Sequence, residues 1–436
     1  MKVLLVRPKF KSLIANLEPL GLEYVAGVLR DINYEYEIFD EYQHSWVNRY
    51  NRLARKIRAG GFDCVGFHVN ANTTEYIINT TKRLRSDIKD LYVMVGGPEV
   101  EVNYLDFCLD SIDFVYHDNG LLSLQNSFKS DFAMDVLAEQ TGVCYVHNGI
   151  WVIREKGAPA NDFITVPDRA IFEQNIKQNF IFLKGSYALM KASFSCPYNC
   201  SFCYCTKMNS GVYTERDINV VIDEIEAINH PRIWFVDDSF FINKERVEHF
   251  CHEIIKRGIQ KQFMAYSRAD FVADNADIMP LLYAAGFRDI LVGLEAVDDN
   301  LLDEYNKKTS RLINETAIKN LQDNNLTCNA LFVVNHQFTK SDFKKLKNFI
   351  KANNLLWVVI GIFTPYKGTD AYEEYYSRLT DFTSKRLDGL HITIKPENMS
   401  SFAFMFQVYW MTVQAYGKLI FNLMLSKRLA QRKSPA

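Results

Sequence analysis

The sequence has almost no surplus of charge: 50 lysines and arginines stand against 52 aspartates and glutamates, a formal net charge of −2. Without a basic field nothing neutralises a phosphate backbone, so nucleic acid is not an expected partner. There is no low-complexity tract and no internal repeat. The opening MKVLLVRPKF has no long apolar run ending in small residues, so no signal peptide is expected. The 9 cysteines are odd in number and lack the spaced pairing of a secreted disulfide framework. Together these absences point to a reducing, cytoplasmic setting.

What is present is material for more than one core. The chain has 436 residues, 48% of them hydrophobic and 14% aromatic, which predicts at least two domains. KVLLVR (2–7) reads as a buried parallel strand, and EPLGLEYVAGVLRD (18–31) sets Leu22, Val25, Ala26 and Leu29 on one helical face. Further strands are expected at 34–40, 62–69, 91–99 and 112–118, with helical patterns such as 73–88 between them. Alternating strand and helix predicts a doubly wound, Rossmann-like α/β sheet over 1–125. Ligands of such sheets sit beyond the carboxyl ends of the strands, here HVNAN (68–72), GGPEV (96–100) and HDNG (117–120). GGP lets a backbone approach a ligand, although a tight strand-to-helix turn needs the same glycines. The segment 126–185 reads as a linker, with a hairpin at Asn148-Gly149.

CPYNCSFCYC (196–205) holds four of the nine cysteines at the end of an expected strand. Structural zinc would want two separated pairs or histidine partners, and the nearest downstream histidine, His230, lies 25 residues beyond Cys205. A thioredoxin-like pair fits Cys200 and Cys203 but leaves Cys196 unexplained. An iron–sulfur cluster takes thiolates at such close spacing and is the favoured reading. Cys205 stands too close to Cys203 for a comfortable fourth ligand and reads as a packing thiol. Cys64, Cys108, Cys144, Cys251 and Cys328 are isolated in apolar segments and read as small buried hydrophobes.

CxxxCxxC after a strand, with Phe202 just before the last cysteine, resembles the radical S-adenosylmethionine superfamily. The resemblance implies a [4Fe-4S] cluster on Cys196, Cys200 and Cys203, whose open iron chelates S-adenosyl-L-methionine. Its reductive cleavage gives a 5′-deoxyadenosyl radical. Six strand–helix repeats follow over 186–380, a partial (β/α)6 TIM-like barrel whose chemistry belongs at the strands' carboxyl ends. Those ends carry Asp237, Asp238, Arg268, Glu295 and the stretch 364–369 with Pro365. By the resemblance these residues and Phe202 hold the methionyl and ribose parts of the cofactor; the alternative for each is a buried ion pair or loop cap.

EPLGLEYVAGVLR, VGGPEV, VPDRAIF, FVDDSF, VGLEA and TPYKGT are similar, in that order, to the cobalamin-binding subgroup of these enzymes. This implies a corrinoid site lined by His68, Asn70, Gly96, Gly97, Pro98, Glu99, Asp118 and Gly120. The D-x-H-x-x-G signature is absent: His117 and Gly120 have the offset, but Val115 stands where the aspartate belongs. Cobalamin is therefore expected without a histidine on cobalt, unless the domain has lost its corrinoid. The implied function is methylation of an unreactive carbon of a small metabolite or lipid through methylcobalamin, with an external electron donor such as a flavodoxin or ferredoxin. The alternatives are radical ring formation, oxidation or rearrangement without methyl transfer, and a non-catalytic electron-transfer protein. The last segment, 381–436, is read as a helical extension. Gln407, Gln414, Lys418 and Asn422 form a polar stripe that predicts an amphipathic helix on the barrel, with membrane-surface contact through 401–433 or dimerisation as alternatives.

Overall fold

The computed structural model describes residues 1–10, 15–118, 120–380 and 383–433, with the side chains of all of these except 418 and 421–433. The first sheet contains β1 (Lys2–Arg7), β2 (Glu35–Asp40), β3 (Cys64–His68), β4 (Tyr92–Gly96), β5 (Phe114–Tyr116), β6 (Val143–His147) and β7 (Ile150–Ile153). Their order is β2-β1-β3-β4-β5-β6-β7, the first five parallel and the last two antiparallel. The hairpin expected in the linker therefore extends this sheet, which reaches past residue 125. β5 is an open edge after a parallel run, and an Asn-Gly hairpin is a compact way to cover it.

Val3 to Val6 are all buried because helices cover both faces of the parallel strands. Leu4 and Val6 enter one core, on the side of the helices Arg49–Gly60 and Thr74–Asp87. Val3 and Leu5 enter another, which includes Leu189, Trp234, Met264 and Leu291 from the second domain.

That domain is a six-stranded parallel sheet ordered β8 (Ala188–Met190), β9 (Arg232–Phe235), β10 (Gln262–Arg268), β11 (Phe287–Glu295), β12 (Thr327–Val334) and β13 (Trp357–Ile362). Alternate residues such as Phe235, Phe263 and Val292 face the outer helices. The inward ones meet the first domain, so the barrel's interior and the Rossmann-like sheet share a hydrophobic cluster.

A buried ionic latch accompanies that cluster. Arg169 pairs with Glu18, reaches Glu224 at 3.2 Å and donates to the Leu189 carbonyl at 2.9 Å. Two of the motifs noted in sequence, EPLG and VPDR, thus meet as the joint between the halves.

The helix Ser401–Lys433 packs on the barrel through Phe404, Val408 and Met411. Gln407 and Gln414 are half-buried, and the side chains of Lys418 and Asn422 lie outside the described residues. The outward face carries Phe402, Phe406, Tyr409, Trp410 and Val413. Among the described residues no helix is long and apolar enough to cross a membrane.

Candidate active site

The cysteine loop begins where Ser195 takes a left-handed conformation, φ 60°, and its hydroxyl donates to the Cys205 carbonyl at 3.0 Å. Neighbouring segments pin the loop: Asn306 donates to the Asn199 carbonyl at 2.6 Å, and the Ala371 N–H to the Ser201 carbonyl at 3.2 Å. Cys196, Cys200 and Cys203 are half-buried. Burial pushes the Cys196 thiol up to about 11. Burial also raises Cys200, opposed by the Lys307 and Arg268 cations. Cys203 is lowered, first by a hydrogen bond from Cys205.

Arg268 ends β10 and Glu295 ends β11, as expected, but they do not pair with each other. Arg268 grips Asp270 at 2.8 Å, covers the Tyr198 ring at 3.8 Å and stands 3.9 Å from the Cys200 sulfur. Glu295 Oε1 accepts from Lys307 Nζ at 2.8 Å. A Cβ at Gly293 would come within 2.6 Å of that carboxylate and 2.8 Å of the ammonium, so the glycine of VGLEA makes room for the pair. Glu295 itself has φ 59°, a strained value for a non-glycine residue. Lys307 and Asp270 were not foreseen; only the Gly-x-Glu spacing hinted at a crowded pair.

The paired aspartates divide. Asp237 is fully buried and accepts from the Ala192 N–H at 2.8 Å and the Ser193 hydroxyl at 2.6 Å, which fixes the strand leading to the cysteines. Burial raises its carboxyl. Asp238 lines an open cavity instead. Phe202 packs edge-on against Tyr305 at 5.3 Å, and Pro365 is buried just past β13.

The cavity, about 400 Å³, lies between the carboxyl ends of β1, β3 and β4 and the residues Ser195 and Tyr204 that bracket the cysteines; Cys196, Cys200, Cys203, Phe202, Arg268, Glu295 and Pro365 do not line it. His68, Gly96, Gly97, Pro98, Asp118 and Gly120 line it, as expected. Asn70 and Glu99 do not. The Asn70 carbonyl accepts from the Thr73 hydroxyl at 3.0 Å, while Glu99 accepts from Asn103 at 3.0 Å. Asn103 donates in turn to the Lys367 carbonyl at 3.3 Å, so this corner ties the first domain to the loop after β13. Gly97 has φ 115°, and a Cβ there would strike the Val69 backbone at 2.8 Å. Its glycine is dictated by the turn rather than by space for a ligand. His117 does not line the cavity; it is buried against Tyr104, ring centroids 4.0 Å apart.

Glu101, Lys191, Tyr204 and Asn209 are among the lining residues that the sequence does not reveal. Asn209 anchors the loop after the cysteines, donating to the Ala160 and Val212 carbonyls at 3.0 and 2.9 Å. Its own N–H bonds Glu101, whose carboxyl burial pushes up to about 7.

A radical SAM superfamily model matches residues 190–350, and a B12 binding domain model matches residues 12–121. The chain thus carries a B12-binding domain followed by a radical SAM domain. It is 23% identical over 406 residues to a hopanoid C-3 methylase of Methylococcus capsulatus, covering 90% of this chain and 76% of that one. It is 24% identical to an anaerobic magnesium-protoporphyrin IX monomethyl ester cyclase of Rubrivivax gelatinosus, covering 92% and 74%. Among solved structures, the cobalamin-dependent radical enzyme OxsB superposes with a TM-score of 0.67 at 18% identity, over 95% of this chain and 61% of that one. The methyltransferase TsrM from Kitasatospora setae gives 0.68 at 15%, over 86% and 78%. The fold is that of this radical SAM family.

The residues present fit its groups. Among the described residues no three or more His, Cys, Asp or Glu side chains close around a single metal ion. A four-iron cube places each thiolate on a different iron, so its ligands stand farther apart than those of one ion. Three half-buried thiols on one loop, with two cations beside Cys200, suit such an anionic cluster. On the opposite wall Gly21, Gly66 and Gly96 with Leu5, Leu20, Met94 and Tyr116 give a bare, mostly apolar slot suited to a flat macrocycle or its nucleotide tail.

Proposed function

We propose that this protein is a cobalamin-dependent radical S-adenosylmethionine C-methyltransferase acting on a small metabolite or lipid. The observation that carries the reading is one cavity with the glycine-lined sheet edge on one wall and, on the other, Ser195 and Tyr204, which bracket the three cysteines. When bound, the cluster and S-adenosylmethionine supply one-electron chemistry and the corrinoid carries a methyl group. Cys196, Cys200 and Cys203 hold the cluster. Glu295, with Oε1 taken by Lys307, turns its remaining oxygen to the methionyl amine or ribose, while Arg268 braces the loop through Tyr198 and Asp270. Asp238 binds from the barrel rim. The apolar walls exclude water, which protects reactive species from quenching.

The test uses protein reconstituted anaerobically with iron, sulfide and hydroxocobalamin. Given S-adenosylmethionine and a strong reductant, it is expected to release both S-adenosylhomocysteine and 5′-deoxyadenosine. Deoxyadenosine alone favours ring formation without methyl transfer, the second reading, which the similarity to the cyclase supports. Neither product overturns both.

Corrinoid retention has its own test at Gly96. A Cβ there meets nothing closer than the Tyr116 carbonyl at 3.6 Å, so Gly96→Phe fills the slot without striking backbone. The variant is expected to fold with an unchanged melting temperature and to keep no corrinoid absorbance after desalting. Retention of the parent's amount would remove Gly96 from the site.

We place the protein in the cytoplasm, reduced by a flavodoxin or ferredoxin. The outward row from Phe402 to Val413, followed in sequence by KRLAQRK (427–433), supports contact with an anionic membrane surface.

A further inference from the structure

Lys191 is the residue after β8, and it lines the cavity from the barrel side. Backbone bonds fix its position. The Met190 carbonyl accepts from the Val236 N–H at 2.8 Å, and the Lys191 carbonyl from Arg216 Nη1 at 2.7 Å. The next N–H, of Ala192, donates to Asp237 at 2.8 Å. The side chain alone is unengaged. Among the described residues its ammonium makes no hydrogen bond and no ion pair, and the Phe194 ring centroid stands 5.7 Å from Nζ.

Lys191 is also the one lysine or arginine among the described residues of the cavity wall. The acids of the cavity are otherwise engaged. Asp118 accepts from the Gly120 N–H, and Glu101 from the Asn209 N–H. Burial pushes the Glu101 carboxyl up to about 7, so near neutral pH it carries only part of a charge. Asp238 serves S-adenosylmethionine in the reading above. Asp237 lies outside the lining; burial raises its carboxyl, and Lys191 opposes that rise through space. Around these groups Leu20, Leu22, Phe163, Phe194 and Val236 keep the wall apolar. A fixed cation without a counter-ion, set in an apolar cavity, selects for an anion, because charge-assisted hydrogen bonds are the strong ones.

We propose that Lys191 binds an anionic group, a carboxylate or a phosphate ester, of an otherwise apolar substrate, and fixes that end of the molecule at the barrel wall. This rests on the methyltransferase reading above and adds the class of substrate. The same chemistry would suit the phosphate in cobalamin's nucleotide tail, so the experiment separates the two sources.

The probes are octanoate and its uncharged amide, titrated calorimetrically into protein reconstituted with its cluster and hydroxocobalamin. The parent is expected to bind octanoate about tenfold to a hundredfold more tightly than octanamide, the range that a hydrogen bond to a charged group supplies. Lys191→Met should remove that preference, and Lys191→Arg should keep most of it. The ammonium bonds nothing within the protein, so both variants should melt with the parent. A parent without the preference, or a preference that survives in Lys191→Met, overturns the assignment. A second arm compares retention of cobalamin with that of cobinamide, which lacks the nucleotide phosphate. Lys191→Met should retain both as the parent does. Loss of cobalamin with cobinamide kept gives the lysine to the cofactor and overturns its substrate role. A parent that holds neither corrinoid overturns the methyltransferase reading itself, and the role of Lys191 with it.

Discussion

Cys200→Ala protein, reconstituted anaerobically, is expected to hold no stable four-iron cluster and to release no 5′-deoxyadenosine. The same total loss is expected for Cys196→Ala and Cys203→Ala, read by iron content and cluster absorbance. In the proposed arrangement each thiolate would carry a separate iron, so no neighbour would substitute for a missing one. Cys205 differs: it follows Cys203 by only two positions, and its backbone carbonyl is held by the Ser195 hydroxyl. Cys205→Ala should keep its iron. If loss of Cys205 destroys the cluster while loss of Cys196 spares it, the three-ligand arrangement is wrong. All four variants should melt near the iron-free parent, because the loop is held by backbone bonds to Tyr305, Asn306 and Ala371 rather than by its sulfurs.

The second large effect lies at Lys307. Its ammonium and the Glu295 carboxylate are both nearly buried, at 7% and 11% side-chain exposure. Removing one member of such a pair strands a charge where water cannot reach it. Lys307→Met is expected to destabilise the iron-free protein by about 3–5 kcal/mol in a denaturant titration. Lys307→Met combined with Glu295→Leu should recover most of that loss, since replacing both members of a buried pair by apolar groups is often close to neutral. Glu295→Gln should keep the iron content and lower 5′-deoxyadenosine formation. Unfolding of Lys307→Met at the parent's denaturant concentration would show that Glu295 does not depend on its partner.

The parts of this architecture that can be read from the chain are those written locally. CxxxCxxC is complete within eight residues, and buried parallel strands such as KVLLVR announce themselves as unbroken apolar runs. The turn at Asn148-Gly149 was equally plain, but which sheet edge its hairpin joins depends on β5, some thirty residues away in sequence. Partners brought together across long loops cannot be named from the sequence. Lys307 meets Glu295 across 12 positions, and Glu101 meets Asn209 across 108. Glycines misled in a particular way: GGP marked the right loop, yet Gly97 is required by its own backbone and Gly96 is the one that faces open space. The terminal helix was judged from its polar residues, whereas the barrel selects it by Phe404, Val408 and Met411.

Leu5, Leu189, Trp234 and Leu291 belong to one cluster, although they come from two domains. A common core of this kind does not slide, so the halves cannot swing apart to exchange what lies between them. A corrinoid held between the halves would then leave slowly, on the timescale of partial unfolding, and reconstituted protein would keep it through desalting.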